Sequence, residues 1–297
     1  MTRAGRPLCL MVVLVAVQSS VPALAADPLA ARPTYTDRAL SDVANAAAMT
    51  QRIWVPGLDE GYVPQGLTAI GSDLYLSAYK SIDPRQGRGP CRLYRLDVRS
   101  GVVTGQLDLP PQCGHAGGLA KGPAGRLFVS DTHEVFEIEL GDDRDPVIGR
   151  VARSIELLGA VRGSFAAGTG DSLWLGTYSK ASDAKLYKFP FAALKLQLSE
   201  EDAAASLPLP TLAQGAAFDA AGRLWLSRSG SRLGELLQLH PASGEVEARY
   251  LVPAGIEDLT FDASGQLWSL SEAGSRRWIG WDTFFPVVFR LDPVRLR

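Results

Sequence analysis

The sequence predicts an all-β protein, a β-propeller of five four-stranded blades, on three observations. The octet "FDAAGRLW" (218–225) returns as "FDASGQLW" 43 positions later. Weaker copies of the unit recur at intervals of 43 to 53 residues, anchored at Leu74-Tyr75, Leu127-Phe128, Leu173-Trp174, Leu224-Trp225 and Leu267-Trp268. Between the anchors the chain reads as short β-forming runs parted by polar turns, without helical periodicity. Self-similarity at such a period marks a repeat architecture, and four short antiparallel strands per period describe a propeller blade. A sandwich would not explain blocks repeated in near-identical register, and an α/β fold needs helical segments between its strands.

The elements follow in order. Residues 1–25 read as a secretory leader: a basic "MTRAGR", an apolar "PLCLMVVLVAV" and a small-residue "ALA" before Ala26. That apolar run is about half of the roughly 20 residues a spanning helix needs, so no integral membrane segment is expected after cleavage. Residues 26–50 form a Pro-containing tail with a short Ala-rich helix or loop, and 51–297 the propeller. Each unit then opens with an apolar strand, turns at a motif such as "DAAG" or "DASG", and continues into a strand beginning Leu-aromatic. Asp suits the turn because it accepts from the following amides, and Gly because it tolerates positive φ. Third strands follow at "CRLYRLD", "EVFEIEL", "KLYKFPF", "ELLQLHP" and "VVFRLDP". The last unit ends soon after its third strand. "QRIWVPG" (51–57) therefore supplies its fourth, closing the ring and hiding two edges; a sixth blade would need a degenerate unit hidden in 27–63.

In a propeller the blade-to-blade loops and the loops between second and third strands emerge around one funnel. That rule places Gln65, His115, Gly163, Gln214 and the Glu257-Asp258 pair there, together with Tyr79, Asp131, His133, Tyr178, Arg228 and Glu272. A concave mouth with convergent polar groups is the default ligand site of such a scaffold. Cys91 and Cys113, the two cysteines left after cleavage, are expected to pair in an oxidising compartment, clipping the loop 80–90 beside His115 and contributing on the order of 3 kcal/mol. Net charge is −2 and there is no Lys/Arg run, so neither nucleic acid nor an anionic membrane is an expected partner. No G-x-S-x-G elbow or H-E-x-x-H is present, and "GDDRDP" (141–146) lacks the Gly and Glu of a calcium loop. The final long loop, "SEAGSRRWIGWDTFFP", is either an interaction surface or a lid over the funnel.

The segments "AAFDAAGRLWLS" and "LTFDASGQLWSL" resemble repeats of the NHL, SMP-30/gluconolactonase and strictosidine-synthase-like propeller superfamily. The resemblance implies a propeller over about 64–293 and admits a divalent cation, calcium or zinc, held in the funnel by Glu, Asp and Asn. The sole asparagine here, Asn45, lies outside the blades, so those Asn ligands have no counterpart; Asp258 and Glu272 with Glu257 would have to hold any metal. Three functions are expected. The leading one is a periplasmic or secreted propeller binding a small molecule or peptide, with Gln65, Tyr79, Asp131, Tyr178, Gln214 and Arg228 as binding residues. The second is a metal-dependent hydrolase or lyase of lactones or esters, using Glu257 with His115 or His133 as general base. The third is a protein-interaction platform in the cell envelope.

Overall fold

The computed structural model describes Met1 and residues 27–297; the leader expected at 1–25 lies, Met1 apart, outside the described residues. Five sheets carry the chain. Blade 1 comprises Tyr62–Ile70, Asp73–Lys80, Cys91–Asp97 and Val103–Asp108. Blade 2 comprises Gly118–Lys121, Arg126–Asp131, Glu134–Leu140 and Gly149–Leu157. Blade 3 runs through Phe165–Gly168, Ser172–Gly176, Lys185–Pro190 and Ala205–Pro208, and blade 4 through Ala213–Phe218, Leu224–Gly230, Leu233–Leu239 and Val246–Leu251. Blade 5 has Ile256–Phe261, Leu267–Ser271 and Val287–Leu291 from the C-terminal end of the chain, and Met49–Trp54 as its outer strand. Ile53 faces Val288 and Trp54 faces Val287 in that closure. The protein is a five-bladed β-propeller, as the repeat predicts. The innermost strand of each blade touches those of both neighbours around the ring.

The octets show why the sequence repeats itself. In blade 4 the Asp219 carboxylate accepts the amides of Ala221 and Arg223 and, 3.1 Å away, the indole N–H of Trp225. In blade 5 Asp262 accepts the amides of Ser264 and Gln266 and the indole N–H of Trp268 at 2.9 Å. One carboxylate thus holds the hairpin turn and the aromatic of the next strand together, which fixes the spacing of Asp and Trp. Gly222 and Gly265 take the left-handed conformation, φ 77° and 76°, that this turn demands. Blade 3 replaces the Asp with Thr169, whose hydroxyl accepts from the Trp174 indole at 3.3 Å.

Five apolar clusters fill the five gaps between neighbouring blades. Trp225 and Leu236 of blade 4, for example, pack with Leu259, Leu267 and Phe289 of blade 5. Phe165 and Trp174 of blade 3 pack with Ala216 and Leu224 of blade 4. Inner strands are therefore buried on both faces, whereas outer strands such as Val246–Leu251 are largely exposed.

Blade 2 departs from the four-strand rule. The connection between the last two strands of blade 3 crosses over, and its Gln197–Leu198 pairs in parallel with Glu156 and Leu157 on the blade 2 edge. The segment covers an edge that would otherwise be open to another chain. The N-terminal tail is also docked. Leu29 bridges to Ile53, and the Asn45 side chain donates to the carbonyls of Leu251 and Arg297 while accepting the Arg297 amide. Among the described residues there is no α-helix, and no helix long and apolar enough to cross a membrane.

Candidate functional site

The funnel opens on a cavity of about 640 Å³, lined among others by Gln65, His115, Tyr178, Gln214 and Glu272. Gln65, Gln214 and Glu257 stand at matching positions near the start of three inner strands. Glu272 directly follows the second strand of blade 5, where blade 4 has Ser229, also a lining residue. The repeat therefore aims these side chains at one point.

At the floor Glu257 hydrogen-bonds Glu272, and both are buried. Burial pushes the Glu257 carboxyl well above the usual range, reinforced by the Glu272 and Asp258 charges and by the hydrogen bond itself. Glu272 is raised to about 7 by burial, with the donors Trp278, Gln65 and Glu257 pulling against it. Glu257 holds its proton the more tightly of the two and donates it to Glu272, because two buried like charges in contact resist ionising together. The Trp278 indole donates to Glu272 Oε2 at 2.7 Å, Gln65 Nε2 to the same oxygen at 3.2 Å, and Gln214 Nε2 to Glu257 Oε1 at 3.3 Å. Tyr178 lines the cavity close enough to both carboxyls for their charge to raise its phenol, after burial itself. Such a pair has the chemistry of an acid and a base side by side: one carboxyl can give a proton while its partner takes one.

Asp258, next to Glu257, does something else. Its Oδ2 accepts the amides of Leu67 and Leu119 and its Oδ1 that of Leu259, each at 3.0 Å; the Ala216 amide also donates to it. Those donors come from the inner strands of blades 1, 2, 5 and 4, so this fully buried carboxyl ties four blades together on the axis. Burial pushes its pKa up while the four N–H groups pull it back. A β-carbon on Gly215 would come within 2.5 Å of the Asp258 Cα, and the glycine leaves the room it needs.

The mouth is walled by the loop after Glu272. Trp278 and Trp281 stack with centroids 4.7 Å apart, and the Arg277 guanidinium lies 4.2 Å from the Trp278 ring centroid and 5.4 Å from that of Tyr79. Arg38 of the tail holds this loop by donating to the carbonyls of Ile279, Trp281 and Asp282. His115 stacks on that same Tyr79 at 4.6 Å, with Nδ1 2.9 Å from the Gly87 carbonyl. A carbonyl only accepts, so Nδ1 carries the hydrogen and Nε2 is left as acceptor; burial lowers the imidazole pKa and keeps the ring neutral. The Cys91–Cys113 disulfide, Cα atoms 5.9 Å apart, anchors the neighbouring loop, whose Gly89 amide donates to the Gly114 carbonyl.

The residues expected at the funnel divide into three groups. Gln65, His115, Tyr178, Gln214 and Glu272 line the cavity, and Glu257 lies buried behind them, hydrogen-bonded to Gln214 and Glu272. Tyr79 and Asp131 stand behind it. Tyr79 supports His115, while Asp131 accepts the amides of Gly114, His115 and Ala116 and so fixes where the imidazole sits. His133 and Arg228 take other places: His133 is exposed on a turn and does not line the cavity, and Arg228 pairs with Glu235 at 2.5 Å and donates to the Thr211 carbonyl. Reading single residues missed Arg277, Trp278, Trp281 and Lys180 as lining groups. The aromatic and basic makeup of the final loop was the available signal, and the structure makes that loop the wall.

The donor set does not fit a divalent cation. Asp258 spends both oxygens on backbone amides, Glu272 Oε2 already receives two N–H donors, and no three His, Cys, Asp or Glu side chains gather as ligands among the described residues.

No protein-family model matches the chain, and no curated protein is significantly similar to it. Among solved structures, the glutaminyl cyclase of Myxococcus xanthus superposes with a TM-score of 0.54 at 14% identity, over 78% of this chain and 90% of that one. A luciferin-regenerating enzyme matches with a TM-score of 0.48 at 11% identity, over 79% and 92%. An aldose sugar dehydrogenase of Streptomyces coelicolor does so at 0.44 and 16%, over 70% and 74%. At 14% identity the likeness to the glutaminyl cyclase is one of architecture, and it agrees with the ring of blades described above.

Proposed function

We propose that this is an exported propeller whose funnel binds a small polar molecule or the end of a peptide, and that the Glu257–Glu272 pair exchanges a proton with that ligand. One observation carries the reading. Two buried carboxyls in contact, desolvated at the floor of an aromatic-walled cavity, are costly to the fold and are not needed by the axis, which Asp258 already ties. Perturbed acid pairs in a concave site belong to acid–base or binding chemistry. Gln65 and Gln214 fix the pair's orientation, and Tyr178 and Trp278 offer apolar faces to the ligand. Export is supported by residues 1–25, whose basic and then apolar makeup reads as a leader, and by the Cys91–Cys113 disulfide, a bond that persists in oxidising compartments.

The experiment is a thermal-shift screen of the purified protein against small polar metabolites and short peptides. Each hit is then titrated calorimetrically in two buffers of different ionisation enthalpy. The reading expects saturable binding coupled to proton uptake or release near neutral pH, and expects Glu257→Gln to bind without that proton. A funnel that stabilises nothing, or proton coupling unchanged in the variant, would overturn it.

A further inference from the structure

Arg277 is the feature the acid–base floor leaves unexplained. It lines the same cavity, its residue is only 9% exposed, and its Nε has no hydrogen-bond partner. One NH2 group reaches the Pro84 carbonyl at 3.1 Å, and the guanidinium is otherwise held between the rings of Trp278 and Tyr79. Among the described residues no carboxylate pairs with it, unlike Arg228, Arg92 or Arg153. A largely buried guanidinium without a counter-charge is expensive, and its planar fork suits a carboxylate. Glu272 lines the same cavity, hydrogen-bonded to Glu257, and supplies a negative charge once it ionises.

We propose that the funnel's ligand is a zwitterion of amino-acid or short-peptide size, its carboxylate paired with Arg277 and its ammonium set against Glu272. This rests on the funnel-binding reading above and names the class of ligand. The two charges of the cavity then neutralise two charges of the ligand, with Trp278 and Trp281 flanking the apolar portion between them.

Glycyl-phenylalanine, its carboxamide and its N-acetyl derivative are the probes, titrated calorimetrically against wild type, Arg277→Gln and Arg277→Lys. The free dipeptide is expected to bind wild type about ten- to a hundredfold more tightly than the carboxamide, as loss of a charge-assisted contact dictates. The N-acetyl derivative should be weakened as well. R277Q is expected to erase the preference for carboxylate while leaving carboxamide binding within about twofold, which also shows that the cavity wall is intact; R277K should keep part of the preference. Equal binding of acid and amide by wild type, or equal weakening of both by R277Q, overturns the zwitterion assignment and leaves funnel binding standing. Absence of binding by all three probes at millimolar concentration overturns the assignment, while a hit of another class in the metabolite screen would still uphold the funnel reading.

Discussion

Blades 4 and 5 are the same device at one end and different devices at the other. At the hairpin end Asp219 and Asp262 make matching bonds to turn amides and to an indole. At the funnel end Gln214 and Gly215 of blade 4 match Glu257 and Asp258 of blade 5, and Ser229 matches Glu272. These three differences in a duplicated frame place three buried acids where blade 4 has Gln214, Gly215 and Ser229. Where the copies agree they write the hairpin; where they differ stand two candidate chemical groups, Glu257 and Glu272, and one further structural tie, Asp258.

The sharpest way to break this comparison is to remove the one acid assigned to structure. Asp258→Ala would strand four buried amides, of Leu67, Leu119, Ala216 and Leu259, from four blades. A loss of about 3–5 kcal/mol in unfolding free energy is expected. Asp258→Asn should fare little better, because half of its side-chain amide would point donors at donors. Chemical denaturation midpoints check both; a near-neutral D258A would mean that the axis does not depend on this carboxyl.

The next effect concerns the Glu257–Glu272 pair. Both groups hold a proton more tightly in the folded protein than glutamate does when unfolded: burial raises both, and Glu272 adds to the rise of Glu257, whereas the hydrogen bond from Glu257 pulls Glu272 back. The unfolded chain releases its protons near the ordinary value of 4.5, whereas folded Glu272 does so at about 7. Across that window the native state binds more protons, so the stability linked to the pair is complete below the unfolded value and is lost as pH rises through about 7. The slope approaches about 1.4 kcal/mol per pH unit for each proton by which the two states differ. Glu257→Gln, which donates an amide to Glu272 and removes the second acid, should flatten the slope. Unfolding midpoints between pH 5 and 8 measure it, and a wild-type stability that rises through this window would refute the shared proton.

How much of this was readable beforehand depends on range. The ring followed from the octets because their Asp, Gly and Trp act on one another within six residues, and because a final unit lacking a fourth strand demanded one from elsewhere. Gln65, Gln214, Glu257 and Glu272 were readable for the same reason: position in the repeat sets direction. Arg228 shared that position, but Glu235 on the adjacent strand neutralises it, and a repeat does not show which cross-strand partner claims a charge. The axial role of Asp258 needs amides from four blades, and the placement of Trp281 needs Arg38, 243 residues earlier in the chain. The parallel strand on blade 2 is two residues long, too short to leave a pattern.

At the hairpin end the comparison predicts equality. Asp219→Ala and Asp262→Ala each remove an acceptor from two turn amides and an indole, together with one partly exposed ion pair, to Arg223 in blade 4 and to Arg290 in blade 5. Each should cost about 1–3 kcal/mol, and the two values should agree within about 0.5 kcal/mol. An unequal pair in denaturant titrations would show that the octets share spelling without sharing a mechanical role.

The smallest effects test the same equality where only the backbone speaks. Gly222 and Gly265 have φ of 77° and 76°, and a β-carbon at either would meet nothing within 4 Å. Alanine there gains no clash and loses no contact, so its whole penalty is the left-handed conformation, about 1–2 kcal/mol, offset in part by the stiffer unfolded chain. Gly222→Ala and Gly265→Ala should therefore lower the denaturation midpoint by the same modest amount, with unchanged m-value and unchanged ligand binding in the funnel at the other end of the blade. A penalty confined to one of the two would mean that blade 5, closed by a strand from the far end of the chain, holds its hairpin under constraints that blade 4 does not share.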